Sequence, residues 1–170
     1  MSIIKHLLYI FCTVTLLAIA ISCNNDGCEG NSNSLPLAGF YSSQTKSAIA
    51  LDSLTIYGIG MKGDTTIIKN AKSVKQSYLP FNMSDTISRF VIRYEQQTFV
   101  ANNITDTITI TYDNIPFFHS EDCGAMYIYK INSYNTTNAL IDSIAVLAET
   151  IDNTDKENIK IYFRTEADNE

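Results

Sequence analysis

The sequence contains no tryptophan, and histidine occurs only twice, as His6 and His119. The absence of Trp counts against an indole-lined sugar platform. With His6 in the amino-terminal segment, only His119 is left as an imidazole for acid–base chemistry. No Cys-x-x-Cys is present, so a dithiol redox motif is excluded. No apolar run reaches the roughly 20 residues that a membrane-spanning helix needs. No segment sustains a 3.6-residue apolar period, which argues against a helical body. Basic residues are in deficit, with 12 Lys and Arg against 18 Asp and Glu and a formal charge of −6. That balance repels phosphate backbones and gives no basic patch for anionic headgroups, so nucleic acid is a poor partner.

What the sequence does hold is an ordinary core. Hydrophobic residues make up 45% and mean hydropathy is near zero, enough for one domain in a chain of this length. Ten Tyr, eight Phe and abundant Ile and Thr favour strands. Residues 1–22 carry Lys5, then the apolar run from Leu7 to Ile19, then small residues before Cys23. This is the layout of a cleaved secretory signal, and no basic stop-transfer cluster follows it. Ala20-Ile21-Ser22-Cys23 resembles the bacterial lipoprotein box, with Ala20 standing where Leu is usual. The resemblance implies that Cys23 becomes the first residue of the mature chain and carries several acyl chains, enough for stable membrane attachment. Residues 23–34, rich in Asn, Gly and Ser, then read as a lipidated tether. Residues 35–165 are the domain and 166–170 an acidic tail.

Cys12 leaves with the signal and Cys23 takes lipid, so Cys28 and Cys123 remain as an even pair in an oxidising compartment. They are expected to pair as a disulfide. Such a bridge closes a long loop, with a chain-entropy estimate of about 3–5 kcal/mol. A zinc site from Cys28, His119 and Cys123 lacks a fourth close-spaced Cys or His. Asn24, Asn25, Asp26 and Glu29 offer oxygens in an order unlike the EF-hand loop. No metal and no cofactor is expected.

Period-2 alternation runs through LDSLTIYGI from Leu51, TTIIK from Thr65, ISRFVIRYE from Ile87, DTITITYD from Asp106, MYIYKINSY from Met126, DSIAVLAETI from Asp142 and NIKIYF from Asn158. The pattern places Phe90, Ile92 and Tyr94 on one face, and Ile128, Tyr129 and Ile131 near the core. Turns are expected at Lys62-Gly63-Asp64, Leu79–Asn82, Asn102-Asn103, Asp113-Asn114 and Asp152-Asn153. Seven to nine short strands predict an all-β, immunoglobulin-like antiparallel β-sandwich, with a small barrel as the alternative.

Five of the eleven Asp residues precede a Ser or Thr and then an aliphatic residue or Thr: Asp52-Ser53, Asp64-Thr65, Asp85-Thr86, Asp106-Thr107 and Asp142-Ser143. One reading is structural. Asp closes a turn through local backbone N–H groups, the hydroxyl faces water and the aliphatic residue begins the core face. The other is a resemblance to the acceptor pattern for periplasmic O-glycosylation in Bacteroidota, on Ser53, Thr65, Thr86, Thr107 and Ser143. The Asn-x-Ser/Thr matches at Asn82, Asn103 and Asn135 carry no weight in a bacterial chain.

The Cys23–Cys28 opening, Leu54–Gly60, Tyr78–Phe81, Ile110–Tyr112, His119–Gly124 and Asn158–Phe163 together resemble a family of small Bacteroidota outer-membrane lipoproteins, the domain of unknown function six-four-five-two. The resemblance implies a β-sandwich at the outer membrane and supplies no catalytic residues. Nor does the chain offer any. His119 has Ser120 beside it, but adjacent residues on an extended segment point to opposite sides. Glu121 and Asp122 read as a polar turn rather than a glycosidase pair, and Gly58, Gly60 and Gly63 have no following helix to cradle phosphate. The expectation is therefore a non-enzymatic binding or scaffolding module, lipid-anchored and meeting an outer-membrane barrel or another envelope protein. The alternative is carbohydrate or peptide binding through exposed Tyr41, Tyr57, Tyr78 or Tyr134. A contiguous patch of exposed Tyr rings would favour the alternative, and scattered rings the scaffold.

Overall fold

The computed structural model describes residue 6 and residues 33–60, 65–121 and 124–165. Among residues 33–165 as described, ten strands and one short helix follow in order: β1 Leu37–Ser42, β2 Leu54–Ile59, β3 Thr66–Ala71, β4 Gln76–Tyr78, β5 Ile87–Tyr94, α1 Gln97–Ala101, β6 Thr105–Ser120, β7 Gly124–Thr136, β8 Ile141–Val146, β9 Thr150–Ile151 and β10 Glu157–Phe163. They form two sheets, ordered β4-β1-β10-β8 and β3-β2-β5-β6-β7-β9. The all-β sandwich read from the alternation is the fold. Each expected run contributes a strand, and Leu140 to Glu149, which also tolerates a helical reading, is strand from Ile141. The seven runs become ten strands because β4 and β9 have three and two residues, too few to leave a period in the sequence, and because β1 does not alternate. The sheets are antiparallel except for β1 and β10, the first and last strands, which pair in parallel.

The core lies between the sheets. Phe40, Ile159, Ile161 and Phe163 of the smaller sheet meet Leu54, Ile56, Phe90, Ile92, Ile108 and Ile110 of the larger one. Each such side chain contributes about 1.5–3 kcal/mol when fully buried. Tyr129 and Ile131 are buried as expected, whereas Ile128 is only half-buried. β1 shows no alternation because it is buried on both faces, and Gly39 explains how. A Cβ there would come within 1.9 Å of the Glu157 carboxylate, so the bare backbone makes room for that side chain.

Strand β6 ties the two sheets together. Its inward face reads Asp106, Ile108, Ile110, Tyr112, Asn114, and the polar members at each end hold two of the segments where the chain crosses between sheets. Asp106, fully buried, accepts five hydrogen bonds. They come from the N–H groups of Ala139 (2.7 Å), Leu140 (2.8 Å) and Ile141 (3.0 Å) and from the hydroxyls of Thr137 (3.0 Å) and Tyr94 (2.9 Å). Arg164 binds the carbonyls of Asn138 and Ile141 in the same segment. The β7–β8 crossing thus has its donors met by an acid and its acceptors by a base, the requirement for buried backbone.

At the other end of β6 the Tyr112 hydroxyl lies 2.7 Å from Ser88 Oγ, accepts from Asn82 N–H (2.9 Å) and sits 3.0 Å from the Asn82 carbonyl. The Tyr112 ring stacks on Phe81 at 4.3 Å. Asn114 donates through Nδ2 to the carbonyls of Met83 (3.0 Å) and Asp85 (2.7 Å). These contacts fix the β4–β5 crossing. They also correct the turn expected at Asp113-Asn114, because β6 runs straight through it. Asp113 and Asn114 bond to other elements, Asp113 through the Asn132 amide, instead of bending their own backbone.

Three core tyrosines give the fold an alkaline limit. Burial pushes the Tyr129 hydroxyl up to about 12, with Tyr112 and Tyr127 adding to the shift. Burial also raises Tyr94, reinforced by the Asp106 carboxylate. It raises Tyr112 against the opposing hydrogen bonds of Ser88 and Asn82. In the unfolded chain these groups ionise near their ordinary value of 10, so their contribution is complete below pH 10 and is lost as pH climbs through the folded values. Each removes up to about 1.4 kcal/mol per pH unit in that window. The unfolding midpoint is expected to hold between pH 8 and 9.5 and to fall steeply from pH 10 to 12. A midpoint unchanged at pH 11.5 contradicts this.

Candidate functional site

Cys23, Cys28 and Cys123 lie outside the described residues, as do Cys12, Asp122 and the turn at Lys62-Gly63-Asp64. Among the hydroxyls of the Asp-Ser/Thr steps, Thr65 and Thr86 are exposed at the starts of β3 and β5, while Ser53, Thr107 and Ser143 are half-buried. Every described step sits at a strand start, but only Asp85 bonds its own neighbour's N–H, that of Thr86 at 2.7 Å. Asp52 instead accepts from Ser73 N–H, and Asp142 faces Arg164 at 3.5 Å. Asp106 departs furthest from the local-turn expectation, since it points into the core and holds residues more than 30 positions away. His119 is exposed near the end of β6, with its ring 6.0 Å from that of Phe117. Among the described residues no group of three His, Cys, Asp or Glu side chains is placed to hold a metal.

The four tyrosines singled out in the sequence are scattered. Tyr41 packs against Tyr162 at 5.8 Å, bonds Glu157 at 2.9 Å and lies under the Lys160 ammonium at 4.5 Å, so its face is already occupied. The Tyr78 hydroxyl donates to Asp155 at 2.6 Å. Tyr134 stands on β7 and Tyr57 on β2, separated by two strands. Tyr57 lines a groove.

Exposed apolar residues gather elsewhere. Among the described residues, β6 and β7 pair only with each other beyond Asn114 and Tyr129 and form a two-stranded ribbon outside the body of the sheet. At about 3.3 Å per residue, the 16 residues of β6 run to about 50 Å, against about 23 Å for the 7 of β10. The ribbon exposes Ile115, Phe117, Phe118 and Tyr127, with Phe118 at 64% the most exposed large apolar residue described. Near its base Asn33, Met83, Pro116, Met126 and Tyr127 line a cavity of about 220 Å³, so the chain leaving the domain toward its amino terminus lies against the ribbon. The sequence pattern marks this region only as a polar turn. The signal for it was Pro116-Phe117-Phe118, an apolar run where alternation lapses.

The groove at Tyr57 is built by register. Arg93 pairs with Thr55 on one side and Thr105 on the other, placing it beside Tyr57 on the outer face of the larger sheet. On β3, Lys69 and Asn70 together oppose Thr55, a bulge whose Asn70 has φ 42° and donates its N–H to Thr55 Oγ1 at 2.9 Å. Bulges of this kind re-aim side chains, and Lys69 is turned to the groove wall. The opposite wall is Val100, Asn103 and Ile104, from α1 and the turn after it. The volume is about 500 Å³, opening into a second hollow of about 430 Å³ that shares Tyr57, Arg93 and Glu95.

Among the described residues no helix is long and apolar enough to cross a membrane. No curated protein and no solved structure matches the chain. Residues 53–163 match a family of unknown function, DUF6452. That span takes in the crossings held by β6, the Tyr57 groove and the ribbon, and the chain belongs to the DUF6452 family.

Proposed function

We propose that this protein is a non-enzymatic binding or scaffolding module of the bacterial envelope, lipid-anchored at the outer membrane through Cys23, that offers the β6–β7 ribbon to an envelope partner such as an outer-membrane barrel. The observation carrying the reading is the exposure of Phe117 and Phe118 on a ribbon that no described strand flanks on either side. Two-stranded ribbons are marginal in water alone, and clustered exposed apolar side chains mark contact surfaces. The tether supports it. Asn33 lies against the ribbon, and the ten residues back to Cys23 span at most about 35 Å, which holds the ribbon close to the membrane. The proposed Cys28–Cys123 bridge fits the same placement. Cys28 is five residues from Asn33 and Cys123 three from Met126, and Asn33 and Met126 share one cavity.

The test is co-purification from detergent-solubilised envelopes. The wild type is expected to bring down a defined partner, and Phe117→Ser with Phe118→Ser to lose it while keeping the unfolding midpoint. Retention of the same partner by that variant overturns the ribbon assignment. Cys23→Ala is expected to leave the membrane fraction, and its persistence there overturns the anchor. A second reading, carbohydrate or peptide binding through a Tyr, is favoured at one place, where the half-buried Tyr57 lines a groove with Arg93.

A further inference from the structure

The geometry points to the Tyr57 groove as a binding site for an acidic saccharide, a sugar bearing a carboxylate. The proposal deepens the second reading above and is independent of the lipid anchor and of the ribbon.

Charge is the first argument. The chain is acidic overall, yet Arg93 and Lys69 converge on one groove, and neither makes an ion pair among the described residues. The three ion pairs present use Lys156, Lys160 and Arg164. Two unneutralised cations at a concave surface form an anion-binding arrangement. The planar guanidinium of Arg93 suits a carboxylate, which it can grip through two parallel N–H donors.

Composition of the walls is the second. Tyr57 offers an aromatic face with a polar tip, while Thr66, Thr105, Asn103 and Glu95 surround it with donors and acceptors. A pyranose has an apolar ring face and a rim of hydroxyls, and it matches that alternation. A peptide's apolar side chains would find only Val100 and Ile104. Glu95, the one acid in the groove, is then an acceptor for sugar hydroxyls. The two joined hollows, of about 500 and 430 Å³, leave room for more than one sugar unit.

The third argument is construction. The β3 bulge costs ladder pairing, yet Thr55 Oγ1 is spent on stabilising it, and its outcome is the placement of Lys69. Bulges concentrate beside functional surfaces.

The test is calorimetric titration of the purified full chain with trigalacturonic acid, with galactotriose as the neutral probe and trialanine as the peptide carboxylate. Trigalacturonic acid is expected to bind in the sub-millimolar range. Arg93→Gln is expected to weaken it about tenfold, the loss of one charge-assisted pair. Arg93→Lys falls between the two, and all three proteins share one unfolding midpoint because Arg93 is exposed. No heat with trigalacturonic acid up to 10-fold above millimolar levels overturns the proposal. Equal binding of galactotriose overturns the carboxylate assignment, and equal binding of trialanine, lost in Arg93→Gln, overturns the saccharide. Any of these failures leaves the co-purification experiment on the ribbon untouched.

Discussion

Asp106→Ala is expected to destabilise the domain by about 3–5 kcal/mol, because it strands five donors around a fully buried position. Three of the five are backbone N–H groups at consecutive positions, Ala139, Leu140 and Ile141, so the loss falls on the path of the chain between the sheets. Against a total of about 5–15 kcal/mol for a natural domain, the change lowers the unfolding midpoint by roughly 10–20 °C. Asp106→Asn is the sharper probe. Both oxygens accept, Oδ1 from Thr137 and Ala139 and Oδ2 from Tyr94, Leu140 and Ile141. Either orientation of an amide therefore turns its NH₂ onto donors. The isosteric variant is expected to lose at least about 2 kcal/mol, and Tyr94→Phe, which removes one donor, about 1 kcal/mol. An Asn variant within 0.5 kcal/mol of wild type by denaturant unfolding, roughly the scatter of neutral surface changes, rules this account out.

Tyr112→Ala is the second large effect, at about 3–5 kcal/mol. The ring stacks on Phe81 at 4.3 Å and meets Tyr129 edge-on at 5.3 Å, so truncation leaves a cavity in the densest aromatic packing of the core. Tyr112→Phe keeps the ring and removes only the hydroxyl. Asn82 N–H retains Ser88 Oγ at 3.0 Å, and the expected loss is about 1–2 kcal/mol. Denaturant unfolding of the two variants separates packing from hydrogen bonding. A Phe variant as unstable as the Ala variant would assign the effect to the hydroxyl network instead.

These two residues also mark the limit of what alternation conveys. In DTITITYD the Ile and Thr residues fall on opposite faces as their period requires, so the strand and its burial are readable. That Asp106 lies on the Ile face is equally implied by the spacing, but an acid on a core face makes sense only once a crossing 30 residues later supplies its donors. β1 escapes the pattern for a related reason. Burial on both sides erases alternation, and Gly39 is explained by the carboxylate of Glu157, 118 positions away. Tyr57 was visible as an aromatic on an outward position. Arg93 and Lys69 were not, because their convergence depends on strand register and on a bulge at Asn70 that no composition reveals. The apolar ribbon was hidden by the polar residues of its turn, which mask the two Phe residues before it.

The parallel ladder between β1 and β10 has a consequence for biogenesis. A chain made from its amino end delivers β1 early, but its neighbour emerges about 120 positions later. Until then one side of β1 is an open edge, the kind of unpaired backbone that invites wrong partners, and closure depends on contacts of the highest sequence separation in the domain, which form slowly. The smaller sheet is completed only when nearly the whole domain has emerged, so that edge stays open for most of the chain's synthesis.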